Sequence, residues 1–172
     1  NTIISSISRR LSKNFAFSTN DSHSKLYSYT RLVKGIKLAK DGFFLRAESF
    51  YNVATEVDRL DPSLISAYGG ISLHSQSHGE SFMSLMMNRL FGNGLYIFDE
   101  PEAALSPVRQ MAMLRRIHDL VKNNSQFIIA THSPILMAYP HATILEVSSE
   151  GIKETQYEET ENYIFTKYFL NN

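Results

Sequence analysis

Apolar positions along the chain follow two periods, one helical and one strand-like, and their alternation predicts an α/β fold. Ile3, Ile4, Ile7 and Leu11 recur at helical spacing over residues 2–13, and residues 14–24 alternate briefly before becoming turn-like. A helix is expected over Leu26–Leu38, then a turn at Lys40-Asp41-Gly42 and a short buried strand over Phe43–Arg46. Phe50, Val53, Ala54, Val57 and Leu60 share one face of a helix over 49–60. Asp61-Pro62-Ser63 ends it, and Tyr68-Gly69-Gly70 marks a loop.

The pattern sharpens in the second half. Phe82, Leu85, Met86, Arg89 and Leu90 predict a helix starting near Glu80 and ending around Gly92-Asn93-Gly94. The uninterrupted apolar run Leu95–Phe98 reads as a buried parallel strand, since helices covering both faces leave no place for alternation. Ser106 supplies an N-cap with Pro107 at the first helical position. The helix that follows should run to about Asn123 and bury Val108, Met111, Leu114, Ile117 and Val121. A strand over Gln126–Thr131, a short helix after Pro134, a hairpin of Ala142–Val147 with Ile152–Tyr157 turning at Glu150-Gly151, and a helix over Glu159–Leu170 complete the reading. No repeat or composition break divides the 172 residues, so a single domain is expected.

Composition narrows the function classes. Equal numbers of acidic and basic residues leave no net charge, so a nucleic-acid partner is possible but unsupported, as is an anionic membrane. Without cysteine there can be no disulfide, thiolate zinc site or cysteine nucleophile, which fits the reducing cytoplasm, the expected location. No apolar run approaches the roughly 18–20 residues of a membrane span, and no signal peptide is visible.

Three stretches could carry chemistry. In the first, Ser77-His78-Gly79-Glu80 opens a helix, whose unpaired N–H groups and partial positive charge favour a phosphate. Gly79 would allow close backbone approach and Ser77 could donate a hydroxyl; the plainer reading is that Ser77 only caps the helix. In the second, Asp99 and Glu100 end the apolar strand, where open α/β sheets place their ligands. Adjacent carboxylates repel, and burial adds to the cost. The pair makes sense if Asp99 anchors a hydrated Mg²⁺ and Glu100 orients a water; otherwise it is a solvated acidic strand end. In the third, His132 follows an apolar strand and would reach the same sheet edge, where it could contact a terminal phosphate or serve structure alone. His23, His74, His78, His118 and His141 show no metal-ligand spacing, and His118 has no evident partner.

In this order the motifs resemble the C-terminal half of an ABC-type ATPase core, as found in transporter ATPase subunits and SMC-like proteins. Gln76-Ser77-His78-Gly79-Glu80 stands for the signature motif, with Gln76 and His78 departing from its usual form. Leu95–Glu100 stands for the Walker B strand, Glu102-Ala103-Ala104-Leu105-Ser106 for the D-loop and His132 for the switch histidine. Residues 41–50, 76–82, 99–107 and 130–136 are also similar to a bacterial family of small stand-alone ATPases, AAA-type in name and ABC-like in motif set.

The resemblance implies a P-loop NTPase core with a mainly parallel sheet flanked by helices, its signature part over 14–92 and its Walker B part over 93–172. It further implies ATP and Mg²⁺ as cofactors and a homodimer that closes around ATP. In that arrangement Asp99 holds the metal, Glu100 polarises the attacking water and His132 contacts the γ-phosphate. Ser77, His78, Gly79 and Glu80 close on the partner's ATP, and Ala104 and Leu105 cross the interface.

No Gly-x-x-x-x-Gly-Lys-Ser/Thr loop occurs in the sequence. The resemblance therefore implies that the first strand and the P-loop precede Asn1, and that the chain as given would not hold ATP in the usual way. Glu48 falls in the region of the family's Mg²⁺-sensing glutamine. Three alternatives stay open: a non-catalytic interaction module derived from an ATPase, a DNA-associated SMC-like ATPase, and a metal-dependent nuclease built on Asp99 and Glu100.

Overall fold

A computed structural model describes residues 31, 33, 39–47 and 75–172. The helices expected over 2–13 and 49–60, the segment 14–24, the turns at 61–63 and 68–70, and Glu48 lie outside the described residues. Within the helix expected over Leu26–Leu38, the two described residues, Arg31 and Val33, are exposed and not helical.

The described elements are β1 (Asp41–Arg46), α1 (His78–Asn88), β2 (Gly94–Asp99), a 3₁₀ turn (Pro101–Ala104), α2 (Pro107–Lys122), β3 (Gln126–Ala130) and α3 (Pro134–Met137). They continue with β4 (Ile144–Ser148), β5 (Gly151–Thr155), a second 3₁₀ turn (Tyr157–Glu159) and α4 (Glu161–Leu170). β1, β2 and β3 form a parallel sheet in that order, while β4 and β5 pair as a separate antiparallel hairpin. This is the mixed α/β architecture the sequence predicts, a parallel sheet flanked by helices.

One expectation fails at the start of the sheet. Lys40-Asp41-Gly42 does not turn: Asp41 and Gly42 already belong to β1, opposite Gly94 and Leu95. The reason is a polar cluster at the amino edge of the sheet. Asp41 Oδ1 accepts from Arg89 Nη1 at 3.1 Å, and Asp41 Oδ2 accepts from the Tyr96 hydroxyl at 2.9 Å. The Tyr96 oxygen in turn accepts from the Gly92 N–H at 3.1 Å. Burial and the neighbouring Asp41 push the Tyr96 phenol above its usual 10.0.

Register fixes the core. Phe43 lies opposite Tyr96 and Tyr96 opposite Phe127; Leu45 lies opposite Phe98 and Phe98 opposite Ile129. Residues two apart share a face, so these side chains form one apolar surface. Phe82, Leu85 and Met86 of α1 and Met113, Ile117 and Leu120 of α2 pack on it, with Phe82 edge-on to Phe98 at 6.4 Å.

The cap predicted at Ser106 is present, yet the face of α2 differs from the one expected. Val108, Met111 and Val121 are exposed, Leu114 is half-buried, and Gln110, Met113, Ile117 and Leu120 point inward. The apolar residues of α2 offer two competing stripes. Anchoring to Leu105 and Ser133 through buried Gln110 selects the second. Arg116 on this helix reaches across to end α1, donating to the carbonyls of Met86, Met87 and Leu90 at 3.1, 3.3 and 2.7 Å. His118 has a partner after all, the Tyr139 hydroxyl at 3.3 Å.

Candidate functional site

Parallel register brings the chemistry to one edge. Arg46, Asp99 and Ala130 lie side by side at the carboxyl ends of β1, β2 and β3. The residues that follow, Glu100 and Thr131-His132, therefore leave the sheet at the same level. The Glu100 N–H donates to the Ala130 carbonyl at 2.9 Å, holding the two exits together. His132 Nε2 lies 4.0 Å from Glu100 Oε1, and both side chains are open, 82% and 53% exposed.

Glu100 also carries backbone strain. Its φ of 49° and ψ of 51° place a non-glycine residue in the left-handed region, although a following proline usually selects extended backbone. The conformation turns the chain sharply out of β2 into the 3₁₀ turn. Strain of this kind concentrates at functional sites.

Asp99 behaves differently from its neighbour. It is 4% exposed, and its Oδ2 accepts from Arg46 Nε at 2.8 Å. The sequence predicts a metal cation beside one of the two carboxylates; in the structure the Arg46 guanidinium lies against Asp99. Among the described residues no hydrogen bond reaches Asp99 Oδ1, so one buried carboxylate oxygen remains for a ligand. No group of three or more His, Cys, Asp or Glu side chains is gathered among the described residues.

The serine-glycine motif is at the same end of the molecule. α1 runs back toward the start of β2, so its N-terminus lies near the carboxyl edge. Both parts of a capping box are formed: Ser77 Oγ accepts from the Glu80 N–H at 3.4 Å, and Glu80 Oε2 accepts from the Ser77 N–H at 2.9 Å. The Ser77 hydroxyl donates to Glu80 Oε2 at 2.7 Å, and Arg109 donates to Ser77 Oγ at 3.4 Å and to Glu80 Oε1 at 3.1 Å. The Ser77 hydroxyl, the Ser77 N–H and then the Arg109 charge hold the Glu80 carboxyl below its usual 4.5.

Gly79 is buried rather than open to a ligand. A Cβ there would lie 2.4 Å from Arg109 Nη1 and 2.9 Å from the Ala104 carbonyl oxygen. Its bareness permits close contact between α1 and the 3₁₀ turn. Of the two residues expected at a dimer interface, Leu105 is 6% exposed and part of the core and Ala104 is half-buried, while Ala103 and Ser106 are exposed.

Residues 64–137 match the family described as AAA ATPase domain. This segment is related to the AAA-type ATPases. No curated protein sequence matches the chain. The AAA ATPase match spans α1 through α3, thus the capped helix, the acidic strand end and His132 alike, and it supports a general ATPase-type function. Among the described residues no helix is long and apolar enough to cross a membrane.

Contacts from distant parts of the chain also shape this edge of the sheet. Arg46 was legible only as a charge ending an apolar strand. Glu102 accepts from the Thr131 hydroxyl at 2.7 Å and from the His132 N–H at 2.6 Å. Gln110 links the Leu105 carbonyl, to which its amide donates at 3.0 Å, with the Ser133 hydroxyl, which donates to it. From the C-terminal segment, Asn162 donates to the His132 carbonyl and the Tyr157 hydroxyl to the Pro134 carbonyl, both at 2.9 Å.

Proposed function

We propose that this chain supplies the Walker B, D-loop and switch-histidine half of an ATP-hydrolysing site, in an ABC-like arrangement of two copies. The observation that carries the reading is the shared carboxyl edge: Asp99, Glu100 and His132 meet there through strand register, with Glu100 and His132 open to a ligand. Asp99 is the residue to hold Mg²⁺, through its remaining oxygen or a water. When bound, the metal would neutralise phosphate charge. Glu100 would take a proton from, or orient, the attacking water, and His132 would donate to the terminal phosphate.

Ser77, His78, Gly79 and Glu80 act in this reading at the partner's nucleotide. Ser77 must then release Glu80 before its hydroxyl can donate to a phosphate. Gly79 contributes by seating α1 on the 3₁₀ turn, so that the helix end and the D-loop approach the partner as one unit.

One observation favours a non-catalytic interaction module instead. Arg46 neutralises Asp99 without a metal, as a purely structural pair would. Equilibrium binding of ATP by the intact gene product, with and without Mg²⁺, separates the two. The ATPase reading expects Asp99→Asn to abolish the Mg²⁺-dependent part of the affinity, and expects ATP to raise the sedimenting mass to that of a dimer. Mg²⁺-dependent affinity unchanged in Asp99→Asn would contradict it.

A further inference from the structure

Glu102 belongs to the D-loop, yet both of its carboxylate oxygens are used on the loop that carries His132. One oxygen accepts the His132 N–H at 2.6 Å and the other accepts the Thr131 hydroxyl at 2.7 Å. The Thr131 oxygen then accepts the Ser133 N–H at 3.0 Å, so the contact sets the backbone of three consecutive residues. Hydrogen bonds to an ionised carboxylate are the stronger kind, and they fix geometry as well as adding energy. A second tie runs parallel to the first, because buried Gln110 joins the Leu105 carbonyl to the Ser133 hydroxyl. The His132 side chain itself is 82% exposed and lies 4.0 Å from Glu100 Oε1, so its position depends more on its backbone than on packing.

We infer that Glu102 is a positioning residue for His132, coupling the placement of the D-loop to that of the imidazole. The inference rests on the ATPase reading above, and it gives that reading a route by which docking at the D-loop reaches the phosphate-facing histidine. Glu102 touches neither nucleotide nor water in this role. The carboxylate acts as a two-pronged acceptor, and an amide can replace it: Gln would accept the His132 N–H with its oxygen and donate its NH₂ to Thr131 Oγ1.

The test compares Glu102→Ala, Glu102→Gln and wild type in the intact gene product, by amide hydrogen exchange and by ATP turnover. Glu102→Ala should speed exchange at His132 about tenfold or more while leaving the α2 amides protected, which also shows that the variant folds. It should lower kcat about tenfold or more with KM for ATP within about twofold, and Glu102→Gln should stay within a fewfold of wild type in both readouts. Exchange at His132 unchanged in Glu102→Ala would overturn the inference. So would a Glu102→Gln turnover as low as that of Glu102→Ala, since it would make the negative charge, not the acceptor geometry, the active property. Absence of turnover in wild type would defeat the ATPase reading, and the exchange comparison would still decide whether Glu102 holds the loop.

Discussion

Apart from the buried Asp99–Arg46 pair, the two edges of the same three-stranded sheet treat charge in opposite ways. At the amino edge Asp41, Arg89, Tyr96 and Gly92 satisfy one another, with Asp41 and Arg89 side chains 16% and 26% exposed. At the carboxyl edge Glu100 and His132 are mostly exposed, 4.0 Å apart, and held in place through their backbones. A closed network of this kind stabilises a fold, because removing one member leaves the others buried without partners. Groups held out in solvent on fixed backbone contribute little to stability, so their placement is better explained by what they can bind.

The contrast can be broken most severely at the amino edge. Asp41→Ala should cost about 2–3 kcal/mol in denaturant unfolding, since Arg89 and the Tyr96 hydroxyl both lose their acceptor. A loss below about 0.5 kcal/mol would remove the distinction between the edges. Gly79→Ala tests the junction between α1 and the 3₁₀ turn. The added methyl meets the Ala104 carbonyl, which is backbone and must shift, so about 1–3 kcal/mol is expected in the same assay.

The smallest effect is a matter of pH. Glu80 is depressed below its usual 4.5 in the folded state, so its contribution is complete above that value and fades as pH falls through the lower folded one. Protection of the α1 amides should weaken on acidification below 4.5 in wild type, and this pH dependence should vanish in Glu80→Gln. Equal acid sensitivity in both proteins would show that the capping box does not supply it.

Much of this contrast was legible from local signals. The apolar run Leu95–Phe98, the Ser106-Pro107 start and the Ser77 cap each depend on a few adjacent residues, and each formed where expected. The turn expected at Lys40-Asp41-Gly42 did not, because its fate rests on Arg89 and Tyr96, distant in sequence. The buried face of α2 was missed for a related reason. Its orientation depends on polar anchoring by Gln110, which no hydrophobic period reveals. At the site, Asp99, Glu100 and His132 could be picked out by their place at strand ends, and register then set them level. Arg46 and Arg109 act across the structure and carry no local signature; Glu102 falls in a motif, but its contacts with Thr131 and His132 are not legible in it. Close packing of Gly79 against Arg109 and the Ala104 carbonyl is likewise not legible from the motif.

The central claim is that the carboxyl edge exists for nucleotide chemistry and not for the fold, and Glu100→Gln tests it in one preparation. The account predicts thermal and denaturant stability within about 0.5 kcal/mol of wild type, together with a fall in ATP turnover of about a hundredfold or more and a persistent ATP-bound dimer. Turnover equal to wild type in a variant that binds ATP normally would contradict it.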